Sequence, residues 1–179
     1  GIMYIWNNKN LSSRELEINI REKLGVKQQL LNPKEIHDLE PNIKPIYDGG
    51  VFYSYAKHTN NPRRLLLKLF DLFLEKGGKF NKYQIKDINF DEDKPVLRTE
   101  SQRFVFDKIV IACGALSKKL TNDLFENIPL DTERGYHIHF KDCEHLISRP
   151  VVFSNRGFGM TPMEQGLSLI HISEPTRQD

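Results

Sequence analysis

Residues 106–115 read FDKIVIACGA. Asp107 and Lys108 lead into Ile109, Val110 and Ile111, apolar at three successive positions, and the run ends in Ala112, Cys113, Gly114 and Ala115. A short strand that is apolar on both faces belongs inside a parallel sheet, covered above and below. Small residues at its end let a second backbone or a flat ligand come close. In doubly wound sheets, ligands rest at the carboxyl ends of the strands. The turn therefore has two readings. Either a dinucleotide lies along this backbone, or the turn is a tight strand-to-helix connection whose geometry needs Gly114. A helix over LSKKLTNDLF is expected to follow.

Upstream stands the strongest helical signal, NPRRLLLKLFDLFLEKGG. Asn61 is a cap, Pro62 suits the first turn, and Gly77 with Gly78 closes the helix. Leu65, Leu66, Leu69, Leu72 and Phe73 share a face. Leu67, Phe70 and Leu74 widen it, so the helix is expected to be covered on most sides. Arg63 and Arg64 read as a solvated first turn. Between this helix and the apolar run, KFNKYQIKDINF reads as a strand, DEDKP as a turn and VLRTESQRFVF as a hairpin pair.

Toward the N-terminus, a strand is expected near residues 3–6, then a helix opened by Ser12 and Glu15 and stopped at Gly25. A second short helix follows, with Asn32 as cap, Pro33 in its first turn and Glu35 reaching back. DGGVFYSY reads as a turn and a strand. Toward the C-terminus, RGYHIHF, RPVVFSN and FGMTPME read as strands. Alternation in RGYHIHF sets Arg134, Tyr136, Ile138 and Phe140 on one face and His137 and His139 on the other. Arg134 with Tyr136 could hold a carboxylate, since the guanidinium fork matches two oxygens. The alternative is a surface ion pair and a packed ring. His58 could face a cofactor or bond to local backbone.

Composition excludes several classes. The 179 residues carry 26 Lys and Arg against 24 Asp and Glu, a net charge of +2, too balanced to suggest a nucleic-acid partner. No apolar run reaches membrane-spanning length. Cys113 and Cys143 form no metal or redox motif, and His137 and His139 lack nearby partners at ligand spacing, so no metal is expected. No GxGxxG, P-loop, GxSxG or CxxC is present.

The segments LGV, LEPNI, GGVFYSYAKHTNNPRRLLLKL, EKGGKF, FDKIVIACGALSKKL, IPLDTERGYHIHF and RPVVFSNRGFGMTPMEQGL together resemble the D-amino-acid oxidase and dehydrogenase superfamily of FAD-dependent enzymes. They resemble bacterial D-amino-acid dehydrogenases most, and the likeness runs from Gly25 to Gly166. It implies an α/β protein of mixed α+β type: a partial FAD/NAD(P)-binding Rossmann-like domain with an antiparallel or mixed-sheet substrate domain. The implied division is a substrate-domain segment over 1–57, a partial FAD-binding domain over 58–125 and substrate-domain strands over 126–166. The implied cofactor is FAD, lying against Ile85, Ala112, Gly114 and Ala115, with His58 a further cofactor candidate. Arg134, Tyr136 and His137 would bind the amino-acid substrate. The implied reaction is hydride transfer from a D-amino acid to the flavin, with the imine then hydrolysed to a keto acid, and an electron acceptor that the resemblance does not name. Alternatives are a glycine, sarcosine or 2-hydroxy-acid oxidoreductase and a non-enzymatic binding module. The implied location is the cytoplasm, with attachment to the inner membrane face left open. In the family, GxGxxG precedes the segment present here, so the chain is expected to be an internal fragment, inactive alone.

Residues 167–177, LSLIHISEPTR, depart from this pattern. The run matches a translated transposase sequencing adapter. The native sequence is therefore expected to stop near Gly166, leaving residues 167–179 as a foreign tail in which His171 and Glu174 carry no function.

Overall fold

The computed structural model describes residues 1–7, 12–122, 124, 128–132 and 135–172. It divides into two compact units, Gly1–Phe70 with Arg134–Asp179, and Asp71–Glu133. Among the described residues no helix is long and apolar enough to cross a membrane.

The first unit begins with β1 (Ile2–Trp6), α1 (Ser12–Lys23), β2 (Gln29–Leu31), α2 (Pro33–Leu39) and β3 (Gly49–Tyr53). The chain leaves through α3 (Pro62–Glu75), inside which the division between units falls. In the second unit lie β4 (Asp87–Asp91), β5 (Lys94–Arg98), β6 (Arg103–Val105) and α4 (Ser117–Asn122). The first unit resumes with β7 (Gly135–Lys141), β8 (Val151–Phe153), β9 (Phe158–Met163) and β10 (Gly166–Ile172).

Seven strands of the first unit form one sheet in the order β2-β3-β1-β8-β9-β10-β7. Among the described strands only β1 and β8 pair in parallel, so the sheet is mixed. Met3 and Ile5 lie beside Val151 and Phe153. On that face Ile36 of α2 joins them, and Met3, Ile5, Ile36 and Val151 are each 0% exposed. Burying such side chains contributes about 1.5–3 kcal/mol each. A Cβ on Gly50 would sit 2.8 Å from the Tyr4 carbonyl oxygen and 3.1 Å from Ile36 Cδ1, so the missing side chain is what lets α2 approach. The opposite face carries Ile2, Tyr4 and Trp6 beside Tyr53, Val51 and Gly49.

The helix ends follow their local chemistry. Asn32 and Glu35 form the expected reciprocal capping box at α2. Asn61 Oδ1 accepts the Arg64 amide at 2.8 Å to open α3. Gly25, at φ 75°, closes α1 by donating to Glu22, and Gly77, at φ 86°, closes α3 by donating to Leu74. Beyond α2, Glu40 is 2% exposed. Its carboxylate accepts from the Ser148 amide at 3.0 Å, the Ser148 hydroxyl at 2.5 Å and Arg149 Nε at 2.8 Å. Those bonds tie the end of α2 to the segment that enters β8.

β10 covers part of the run expected to be foreign. It pairs with β9 on one side and β7 on the other, and Leu167 is 7% exposed within the core cluster. Apolar residues at alternate positions suffice to build a strand, whatever the origin of the codons.

The second unit is a three-stranded antiparallel sheet, β4-β5-β6. A two-residue turn joins β4 to β5, with Glu92 at φ 46° and Asp93 at φ 68°, the geometry that matches strand twist in tight hairpins. The β5–β6 hairpin agrees with the expectation from sequence. Three other expectations are corrected. The strand read from residue 79 begins only at Asp87. Ile109, Val110 and Ile111 form no strand, and Val110 is 89% exposed. A buried parallel strand exists only between two neighbours that satisfy its backbone, and no described strand pairs with this run. Finally, α3 has no buried residue, with Leu66 at 66% exposure. An apolar face is a demand for cover, and among the described residues the leucines of α3 stay exposed.

Candidate functional site

The turn after the apolar run is built from its own backbone. The Cys113 amide donates to Ser117 Oγ at 3.1 Å, and the Leu116 amide donates to the Cys113 carbonyl at 3.2 Å. Gly114 sits at φ 57°, and a Cβ there would meet nothing within 4 Å. The conformation thus favours glycine while the space beside it is open. Ala112 and Gly114 are exposed and Ala115 is half-buried, whereas Ser117 and Thr121 behind them are buried. Ile85, half-buried, belongs to the same unit, in the irregular stretch just ahead of β4. An exposed, small-residue backbone turn fits the flat face or phosphate edge of a dinucleotide.

The candidates in the first unit are spread out. Tyr136 and His137 are neighbours on β7 and project to opposite faces. Tyr136 is 59% exposed, on the side of Ile138 and Phe140. His137 lies on the other side, its Nε2 2.9 Å from Ser168 Oγ, and His139 Nε2 is 3.0 Å from the Gln165 carbonyl. The two side chains therefore cannot line one surface together. Arg134 lies outside the described residues. His58 is exposed in the loop before α3. No group of described residues has the make-up of a metal site.

Beside His58 the structure shows a polar clamp that local sequence patterns miss. Glu164, in the β9–β10 turn, is held by Asn61 Nδ2 and Arg64 Nη1, and its amide donates to the Asn60 carbonyl at 3.0 Å. Hydrogen bonds from Asn61 and then Arg64 hold its carboxyl below the usual carboxylate range. Arg64 thus pairs with an acid one hundred positions away, rather than only with water.

A second feature has no motif at all. Tyr4 of β1, Tyr53 of β3, Arg21 of α1 and the neighbouring Lys27 and Tyr55 line a cavity of about 620 Å³. Tyr4 and Tyr53 meet edge to face, centroids 5.8 Å apart. The Arg21 guanidinium lies 5.5 Å from the Tyr53 ring centre, and the Lys27 ammonium lies 4.8 Å from that of Tyr55. The Tyr53 hydroxyl is buried with no hydrogen-bond partner among the described residues. Burial pushes its phenol above the ordinary value, with Arg21 pulling the other way. The alternation in VFYSYAK puts Tyr53 and Tyr55 on one side, but only the sheet brings Tyr4 and α1 to them.

Residues 1–177 match the family described as DAO, FAD dependent oxidoreductase. A D-amino-acid oxidase of Bradyrhizobium diazoefficiens is 30% identical over 145 residues, covering 80% of this chain and 34% of that protein. A D-amino acid dehydrogenase of Neisseria meningitidis is 28% identical over 134 residues, covering 73% of this chain and 32% of that protein. The chain therefore spans about a third of the length of these curated relatives. Among solved structures, glycine oxidase from Bacillus cereus superposes with a TM-score of 0.77 at 22% identity, covering 97% of this chain and 48% of that one. L-proline dehydrogenase from P. horikoshii does so with a TM-score of 0.77 at 15% identity, covering 99% and 50%.

Proposed function

The chain belongs to the DAO family of FAD-dependent oxidoreductases, and from that premise we propose that it is part of an enzyme that oxidises D-amino acids to the corresponding imino and keto acids. The observation that carries the reading is the match of residues 1–177 to that family, together with relatives named for D-amino acids over most of the chain. When bound, FAD supplies the two-electron acceptor that side chains lack. This chain's own contribution is positional. Ala112, Gly114 and Ala115 present open backbone to the dinucleotide, with Ile85 a further contact. His58, on the loop held by the Asn61–Arg64–Glu164 clamp, is a third contact. On β7, His137 faces one side of the sheet and Tyr136 the other, so only one of them meets a given substrate. Arg134 with whichever of the two faces the substrate forms the proposed substrate set.

A second reading is oxidation of glycine, a related secondary amine or a 2-hydroxy acid. Glycine oxidase shares this fold, and the fold alone does not separate the substrates. The product of the complete source gene, purified yellow, distinguishes them. Bleaching of its flavin absorption by D-alanine, and not by glycine, sarcosine or a hydroxy acid, is the expected result. Bleaching by the latter compounds alone would replace the first reading with the second. A colourless product would remove both and leave a binding module.

The chain as given has no GxGxxG to anchor a pyrophosphate at a helix N-terminus. Expressed alone, it is expected to retain no FAD through gel filtration. A foreign origin for residues 167–177 is part of the same proposal. Amplification of the source locus tests it, and a natural codon run through Arg177 would refute it.

A further inference from the structure

We infer that the cavity bounded by α1, the residues that follow it and the β1–β3 pair is a binding site for a small organic acid: a carboxylate on an aromatic or aliphatic body. It shares no residue with the proposed cofactor and substrate sets, so it stands or falls independently of the flavin reading.

Three donors converge on the cavity. Arg21 and Lys27 are cations, and each rests on the face of a tyrosine in the lining. Such a contact holds Lys27 near an apolar wall without supplying it with an anion, whereas Arg21 also has Glu17 as its partner. Tyr53 adds a buried hydroxyl that makes no hydrogen bond of normal geometry with the described residues, Arg21 alone drawing near it. Buried polar atoms are nearly always satisfied, and an unsatisfied one lining a cavity leaves a place for a partner from outside the chain. A neutral phenol carries one O–H donor, so the hydroxyl has room for an acceptor. Glu17 bridges Arg21 but lines the adjoining cavity instead of this one. The cation on this lining that no described acid pairs with is therefore Lys27. The remaining wall, Ile2, Val26 and Tyr55 among it, is apolar and suits a hydrocarbon body. A volume of about 620 Å³ falls within the range of small-molecule sites. Donors seated on aromatic rings beside an apolar wall describe an amphipathic anion better than inorganic phosphate, which would leave that wall without a partner.

The test titrates the full 179-residue chain with 3-phenylpropionate and with its neutral analogue 3-phenylpropanol, by ligand-observed NMR. The acid is expected to bind about tenfold tighter than the alcohol, the difference shrinking at high salt. Tyr53→Phe removes one oxygen and keeps the ring. It is expected to weaken the acid about five- to tenfold and leave the alcohol unchanged. Arg21→Met is expected to act in the same direction. Ala56→Phe fills the cavity, and loss of both ligands with an unchanged melting temperature would locate them there. Equal affinity for acid and alcohol would overturn the inference. So would undetectable acid binding, or an Y53F variant that folds and binds the acid as before.

Discussion

The two units of this chain invert what their sequences advertise. The most continuous apolar signals find little cover: in the second unit Val110 is 89% exposed between half-buried Ile109 and Ile111, and on the part of α3 that belongs to the first unit Leu66 is 66% and Leu69 55% exposed. The first unit begins with an unpromising IMYIW, yet it holds Met3 and Ile5 at 0% exposure between α2 and the neighbouring strands. Among the described residues of the second unit, only Ile88 and Val96 are buried apolar side chains. The lesson is that hydrophobicity states a need, whereas burial records whether another element meets it. β1 finds β3 on one side and β8 on the other. The apolar run at 109–111 finds no described strand.

The hardest way to break the contrast is to remove residues 167–179. β10 stands between β9 and β7, so truncation after Gly166 takes Leu167 from the core and leaves β7 without its neighbour. Loss of cooperative urea unfolding in the first unit is expected, at a cost of more than about 5 kcal/mol. An unchanged unfolding midpoint would show that β10 contributes nothing.

Next comes the buried carboxylate. Glu40→Ala leaves Arg149 and Ser148 facing an empty site and should cost about 3–5 kcal/mol in chemical denaturation. Glu40→Gln, which keeps an acceptor oxygen, should cost less. Equal losses would mean that the charge is irrelevant and that packing alone holds the segment.

The contrast sharpens with two matched truncations. Ile36→Ala opens a cavity against Gly50 and Ile5 and should cost about 2–4 kcal/mol. Leu66→Ala on α3 should stay within about 0.5 kcal/mol. If the two losses are similar in denaturant melts, α3 is covered in solution.

The smallest effect belongs to Glu164. Its folded-state carboxyl is held low by Asn61 and Arg64, so its contribution is present above the ordinary carboxylate value and is lost as pH falls through the depressed one. Wild type should therefore melt slightly higher than Glu164→Gln at neutral pH, and the two should converge in acid. A difference that persists at low pH would assign the effect to the side chain's shape instead of its charge.

Reading the chain residue by residue recovers whatever depends on near neighbours. Asn32 with Glu35, Asn61 with Pro62, and Gly25 and Gly77 mark helix ends because a cap satisfies amides within one turn. Gly135 to Lys141 and Phe158 to Met163 are legible as strands because alternation is a local property. The site is legible only in part. The small-residue turn at Gly114 is visible, since its backbone angle and hydrogen bonds lie within four residues. The clamp on Glu164 and the cavity at Tyr53 are not, because their partners come from distant positions. The opposite projection of Tyr136 and His137 was also readable from alternation, and it already separates two residues grouped by type.

Local chemistry in the amino-acid order settled the helix caps, the tight hairpin at Glu92 and Asp93, and the alternation of the strands. Each depends on atoms within a few bonds or one turn. Long-range assembly settled which apolar faces became dry, which acid Arg64 meets and where Tyr53, Arg21 and Lys27 converge. Those outcomes depend on the neighbour that each element acquires, and no stretch of chain carries that information about itself.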